Sequence, residues 1–91
     1  ILSVERIDGS EKLLKLSIDA GETSPRILVA GIGAAYSPES LFGKDIVVVS
    51  NLEPKSLMGV ESQGMLLAAN VEGAPSLLIP DTPVPPGTLI R

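Results

Sequence analysis

The sequence predicts a small all-β domain of five strands, with one short helix between the third and fourth strands and a β extension at the C-terminus. Apolar and polar residues alternate with period two in its first half, as they do in half-buried strands. Clusters of Gly, Pro, Asp and Ser separate these segments and indicate turns. Of the 91 residues, 44% are hydrophobic but only 2% are aromatic, so the core must be aliphatic. A chain of this length suffices for one such core.

The first three strands are predicted from alternation and from the turns that separate them. In the second strand, Leu14, Leu16 and Ile18 fall on one face and the residues between them are polar or charged. The third strand is almost continuously apolar, which is typical of a strand that is covered on both faces at one end. These strands are residues 1–7, 12–19 and 26–30, with turns at 8–10 and 20–25 and a hairpin between the second and third strands.

A bend and one helical turn are predicted after the third strand. Gly31 and Gly33 have G-x-G spacing, but no third glycine follows at the dinucleotide-binding position. The spacing therefore favours a bend over a phosphate-binding loop. Ser37 suits the N-cap of a short helix and Pro38 its first position, while Gly43 suits the residue after its end.

A long polar segment separates the last two predicted strands. Residues 46–50 are a β-branched apolar run, and a second apolar run follows at 65–71. The intervening residues 51–64 form a loop that is costly to order, and such loops are more often functional than ornamental. Five strands with one helical turn between the third and fourth is the element order of an OB-fold, in which the helix plugs a five-stranded barrel.

Composition excludes several classes of function. The chain has no cysteine and no histidine, so Ser-His-Asp and Cys-His catalysis and thiolate or histidine metal sites are impossible. We expect no catalysis in this segment, and neither a metal nor a cofactor. No apolar run reaches the length of a membrane span, and a cytoplasmic location is expected. The chain begins as though inside a strand, so we expect a fragment of a longer protein.

The charge balance restricts any nucleic-acid function. A net charge of −4 repels a polyanion at long range, and each phosphate contact needs a cation. Binding to RNA would therefore depend on a local cluster and on shape.

A contiguous stretch carries a family resemblance. Residues 51–66 read N-L-E-P-K-S-L-M-G-V-E-S-Q-G-M-L. This resembles the signature of the tRNA-binding OB-fold domain of many methionyl-tRNA synthetase C-termini, free-standing structure-specific tRNA-binding proteins and cytokine-like synthetase cofactors. The resemblance implies an OB barrel and a non-catalytic domain that raises the local tRNA concentration for a synthetase catalytic domain in the same chain.

The resemblance also implies roles for individual residues. Lys55 matches a phosphate contact, Asn51 and Ser62 match hydrogen-bonding positions, and Met65 matches an apolar contact. The alternatives are an Asx-turn at Asn51, a solvated Lys55, a Ser62 that caps the loop's own backbone, and a core position for Met65. The candidate tRNA-binding residues are Asn51, Lys55, Ser62, Gln63, Met65, Lys12, Arg26 and Lys44.

The two aromatic residues favour one mode of RNA recognition over another. Single-strand binders stack bases on aromatic side chains, but only Tyr36 and Phe42 are present, and one of them is expected to plug the barrel. The composition therefore favours recognition of folded RNA through its shape and backbone.

The last nineteen residues differ from the rest. Five of the eight prolines lie within 73–91, and proline is confined to sheet edges and turns. We therefore divide the chain into an OB-fold domain, 1–72, and an extension, 73–91, in the same structural unit. In the resembling family this region makes a homodimer contact, although packing within one monomer remains open. The expected contact residues are Leu77, Leu78, Ile79, Val84, Leu89 and Ile90.

Two other functions remain as alternatives. One is a homodimerisation or protein-interaction module with little RNA affinity, which the acidic balance favours. The other is a relative similar to secretion chaperones of the same fold, which is disfavoured because the segment from Gly59 to Met65 is synthetase-like.

Overall fold

The computed structural model describes residues 1–90, which form a nearly all-β domain with one helix of a single turn. The five strands that the sequence predicts are divided more finely in the structure. The elements are β1 (Ser3–Arg6), β2 (Leu14–Ile18), β3 (Arg26–Ala30), α1 (Pro38–Leu41), β4 (Val48–Val49), β5 (Lys55–Leu57), β6 (Val60–Ser62), β7 (Met65–Leu66), β8 (Ala68–Val71) and β9 (Ala74–Leu77).

The first three strands form an antiparallel sheet in the order β1-β2-β3. Leu16 lies opposite Val4 on one side and Leu28 on the other. Leu14 and Leu16 are completely buried and Ile18 is nearly so, because the period-two pattern of β2 turns its apolar side chains to the core. The predicted strands, hairpin and aliphatic core are confirmed in this region.

The helix is capped as the sequence predicts. The Ser37 hydroxyl oxygen accepts a hydrogen bond from the Ser40 amide at 3.3 Å, and Pro38 occupies the first helical position. Leu41 is the helical side chain that reaches the core, and it is completely buried. Phe42 is 69% exposed, so the helix fills the core with an aliphatic side chain and not with an aromatic ring.

The segment predicted to be a loop contains a hairpin. We call residues 51–62 the connector; within it, β5 pairs with β6 in an antiparallel register. The turn residues Met58 and Gly59 both have positive φ, 51° and 80°, as a two-residue type I′ turn requires. The predicted loop is thus a connection that contains a hairpin. The hairpin was not predicted, because methionine is an unusual residue in this conformation and hides the turn from the sequence.

The predicted strand 65–71 divides at Leu67, where the chain changes partner. Before this residue β7 pairs with β4, and after it β8 pairs with β9. The Leu67 amide donates to the Val47 carbonyl at 2.9 Å, and the Leu67 carbonyl accepts from the Leu78 amide at 3.1 Å. The β8–β9 hairpin crosses the predicted boundary between residues 72 and 73.

The sheets adjoin one another without a continuous ladder that closes them among residues 1–90. Hydrogen bonds cross two of the gaps. The Gln63 amide donates to the Ile27 carbonyl at 2.7 Å beside β3. On the other side, the Ile1 amino group donates to the Lys44 carbonyl at 2.7 Å, and the Gly43 amide donates to the Ile1 carbonyl at 3.0 Å.

The C-terminal extension lies against the turn between β2 and β3. A Cβ atom added to Gly21 would lie 2.9 Å from the Gly87 Cα, and one added to Gly87 would lie 2.9 Å from the Ala20 carbonyl oxygen. Only glycine permits two backbones to approach this closely. Within residues 1–90, no helix is long and apolar enough to cross a membrane.

Candidate nucleic-acid interface

Six of the eight candidate residues gather at one corner of the molecule. There the start of β3 meets the end of β4 and the chain leaving the connector. Lys55 lies opposite Ser62 in the β5–β6 hairpin, and Met65 lies opposite Val49. The six residues are Arg26, Asn51, Lys55, Ser62, Gln63 and Met65.

Ser62 is bound inside the protein. It is the buried polar residue of the described chain, with 5% of its surface exposed. Its Oγ accepts from the Val29 amide at 3.0 Å and donates to the Gly64 carbonyl at 3.0 Å. The hydroxyl therefore satisfies the backbone that it is buried against, as a buried polar group must.

Gln63 joins the connector to β3 through both its backbone and its side chain. Its amide donates to the Ile27 carbonyl at 2.7 Å, and its Oε1 accepts from the Ile27 amide at 2.9 Å. The side-chain carbonyl thus takes the place of a backbone acceptor in a β ladder. The following residue, Gly64, packs tightly, since a Cβ there would lie 2.9 Å from the Val49 carbonyl oxygen.

Arg26 makes four hydrogen bonds at the same corner. Its Nη1 donates to the carbonyls of Gln63 at 2.6 Å and Ser50 at 3.0 Å. Its Nε and Nη2 donate to the two carboxylate oxygens of Glu22 at 2.9 and 2.7 Å. The hydrogen bond from Arg26 lowers the pKa of Glu22, and the same bond raises the pKa of Arg26. Glu22 was not among the candidate residues; its spacing of four residues before Arg26 is the signal in the sequence that could have identified it.

The other three residues at this corner present their side chains to solvent. Asn51 and Lys55 are exposed, and the Met65 side chain is 51% exposed, so it does not belong to the core. Among residues 1–90, no carboxylate lies within salt-bridge distance of Lys55. Lys55 is therefore available to a phosphate.

Lys12 and Lys44 lie away from this corner. Lys12 precedes Leu14, which pairs with Ala30, whereas Arg26 pairs with Ile18 at the other end of the hairpin. Four residues of strand separate the two ends by about 13 Å. Lys44 lies on the helical side, where its Nζ is 5.4 Å from the centroid of the Tyr36 ring, a cation–π distance.

The G-x-G segment is a bend, as its spacing predicts. The Gly33 amide donates to the Lys12 carbonyl at 2.7 Å, so it does not point toward a ligand. A Cβ at Gly33 would lie 2.8 Å from the same carbonyl oxygen. Arg6 Nη1 holds the bend from the other side by donating to the Gly33 carbonyl at 3.3 Å.

Two clefts differ in their suitability for RNA. The smaller, about 230 Å³, lies beside Arg26 and Gln63 and is lined mainly by polar groups. The larger, about 780 Å³, lies between residues 46–51 and the extension. Most of the residues that line it are apolar, and its charged side chains among residues 1–90 are Asp19 and Asp45. The larger cleft is therefore unsuited to a polyanion.

The fold and the signature define the class of this chain. Residues 1–89 match the family described as "Putative tRNA binding domain". The match covers almost the whole chain, and the chain belongs to this tRNA-binding domain family.

Individual proteins are similar to this chain over all or nearly all of its length. A methionine–tRNA ligase from Methanothrix thermoacetophila is 55% identical over the whole chain, which spans 13% of that ligase. The crystal structure of a MetRS related protein from Pyrococcus horikoshii matches with a TM-score of 0.89 and 41% identity, over 98% of this chain and 82% of that one. The chaperone CsaA from Bacillus anthracis matches with a TM-score of 0.87 and 33% identity, over 99% and 83% of the two chains.

Proposed function

We propose that this chain is the C-terminal tRNA-binding appendix of a methionine–tRNA ligase, and that it delivers tRNA to a catalytic domain elsewhere in the same protein. The observation that carries this proposal is the whole-chain identity of 55% to a small part of such a ligase. The domain performs no chemistry: it raises the effective concentration of tRNA near the catalytic site. A cytoplasmic location follows from this role.

The proposal includes a closed five-stranded OB barrel. In this barrel, β1, β2 and β3 are the first three strands, β4 is the fourth, and residues 60–66 form the fifth. The bonds between Gln63 and Ile27 join β3 to the fifth strand. Ile1, which precedes β1, bonds to Gly43 and Lys44, which precede β4, and these bonds support closure between the first and fourth strands. At these two places, side-chain hydrogen bonds and single backbone hydrogen bonds take the place of a continuous β ladder.

The corner around the connector is the proposed contact surface. Lys55 pairs with a phosphate of the tRNA backbone, Asn51 hydrogen-bonds to the RNA, and Met65 provides an apolar contact. Their exposure supports these roles. Ser62 and Gln63 act indirectly, because the Ser62 hydroxyl and the Gln63 side-chain carbonyl are bound within the protein. With few cations at this corner, recognition depends on the shape of folded RNA more than on charge.

We also propose that the chain forms a homodimer through its extension. Leu78, Ile79, Leu89 and Ile90 are all exposed, and so many apolar side chains in a short segment suit a protein interface. Leu77 is different, since it packs against the monomer core. Sedimentation of the wild-type chain and of Ile79→Asp at several concentrations tests this: the wild type should dimerise and the variant should not. A monomeric wild type contradicts the dimer.

Titration of labelled tRNA tests the function. The wild-type chain should bind tRNA, and its affinity should fall as salt rises from about 50 mM to about 200 mM. Lys55→Ala should weaken binding and reduce the slope of log K against log salt by about one. Lys15→Ala is the matched control, since it removes the same charge from a lysine of β2 whose Nζ lies 4.0 Å from a carboxylate oxygen of Glu5. Absence of binding at low salt would leave only the homodimerisation module.

A further inference from the structure

A single side chain binds both ends of the connector. Ser50 precedes the connector and Gln63 follows it, and both carbonyls accept hydrogen bonds from Nη1 of Arg26, at 3.0 and 2.6 Å. The two residues are thirteen positions apart in sequence, yet they meet at one nitrogen. The guanidinium therefore closes the base of the loop that carries Asn51 and Lys55.

The arginine is itself held by an anion. The two carboxylate oxygens of Glu22 accept hydrogen bonds from Nε and Nη2 of Arg26, at 2.9 and 2.7 Å, in a bidentate pair. This pair fixes the plane of the guanidinium and leaves Nη1 directed at the two carbonyls. A lysine carries the same charge but has no planar fork, so it cannot make both sets of bonds.

We propose that Arg26 is a positioning residue for tRNA binding, which holds the connector in its binding shape with Glu22 as its orienting partner, and that it does not contact phosphate. The proposal rests on the proposed function and reassigns one of the candidate RNA contacts. Its geometry supports it: the Arg26 side chain is 21% exposed and that of Glu22 is 45% exposed. All three guanidinium nitrogens already have partners within the protein.

The Glu22→Gln variant separates positioning from simple electrostatics. Removing an anion beside an RNA surface should strengthen tRNA binding if charge alone matters. We call the two hydrogen bonds from Nη1 of Arg26 to the Ser50 and Gln63 carbonyls the clamp. If Glu22 orients the clamp, loss of its carboxylate should instead weaken binding, by about threefold to tenfold. The salt slope should stay at its wild-type value, because no cation that pairs with phosphate has been removed.

The Arg26→Lys variant makes the complementary test. It keeps the positive charge, so a phosphate contact would largely survive. A positioning residue would not be rescued: affinity should fall about threefold to tenfold with an unchanged salt slope. A reduced slope or wild-type affinity in Arg26→Lys, or tighter binding in Glu22→Gln, overturns the proposal.

Hydrogen–deuterium exchange of the tRNA-free chain gives a second readout. The amides of the connector, apart from Pro54, should exchange faster in both variants than in the wild type, whereas β2 should remain protected. Unchanged exchange in the connector overturns the clamp. Loss of protection in β2, in both variants and in Arg26→Gln, would show that the whole domain unfolds and that the connector does not open locally. Global unfolding also counts against the local role proposed for Arg26. Failure of the wild type to bind tRNA overturns the proposed function, while connector exchange still reports on the clamp.

Discussion

Substitution of Gly64 tests how closely the chain that follows the connector must pack against the core. A Cβ added there would lie 2.9 Å from the Val49 carbonyl oxygen, 3.1 Å from Leu28 Cδ2 and 3.5 Å from Val48 Cγ1. The first contact is with backbone and the second is with a completely buried side chain, so neither can move away cheaply. Gly64 does not have a positive φ, and the effect of alanine is therefore steric.

Gly64→Ala should lower the free energy of unfolding by about 1–3 kcal/mol, the usual cost of overpacking. For a domain of this size, that corresponds to a fall in Tm of about 5–20 °C. The chain has one tyrosine and no tryptophan, so far-UV circular dichroism is the suitable probe for thermal and urea unfolding.

Gly31→Ala is the matched control for this prediction. Its added Cβ would meet only Leu13 Cδ2, at 4.0 Å, and its φ is not positive. Alanine there should be neutral or stabilise the protein by about 0.4–1 kcal/mol. Equal stability of Gly64→Ala and Gly31→Ala would refute the steric reasoning and the close packing of Gly64 against β4 and Leu28.

Three further predictions concern the hydrogen bonds and the extension. Tyr36→Phe removes the hydroxyl that accepts from the Leu77 amide at 3.0 Å, and should cost about 1 kcal/mol in urea unfolding; an unchanged midpoint contradicts that bond. Gly87 has a φ of +84°, and a Cβ added there would lie 2.9 Å from the Ala20 carbonyl oxygen. Gly87→Ala should therefore release the extension from the β2–β3 turn and speed its proteolysis. Proteolysis at the wild-type rate would contradict the docking of the extension. The pKa of Glu22 is lowered in the folded protein. The stabilisation that its carboxylate gives the fold is therefore fully present above the ordinary pKa of glutamate, and it is lost as pH falls through the lowered pKa. The wild type should exceed Glu22→Gln in stability at neutral pH, and the two should converge in acid; a gap that persists there contradicts the ion pair.

The sequence predicts those parts of the fold that depend on local patterns. The alternation at Leu14, Leu16 and Ile18 defines one face of β2, and all three are buried. Ser37 and Pro38 mark the start of the helix through capping rules that act within one turn. The connector hairpin could not be predicted in this way, because its turn uses Met58 where asparagine, aspartate or glycine is usual.

The candidate site could be located from the sequence, but the division of labour within it could not. The signature predicts that residues 51–65 matter. It does not reveal that Ser62 faces Val29 or that Gln63 faces Ile27, because these contacts join residues 33 and 36 positions apart. A polar residue in a loop looks the same in sequence whether its side chain binds the protein or a ligand.

The most direct test of the proposed interface is a map of backbone amide chemical shifts by NMR as tRNA is added to the ¹⁵N-labelled chain. The proposal predicts that the largest changes fall on Asn51, Lys55 and Met65. The amides of Val84 and of residues 87–90, which line the larger cleft, should change little. Changes confined to 84–90, or none at the connector under low-salt conditions, would contradict it.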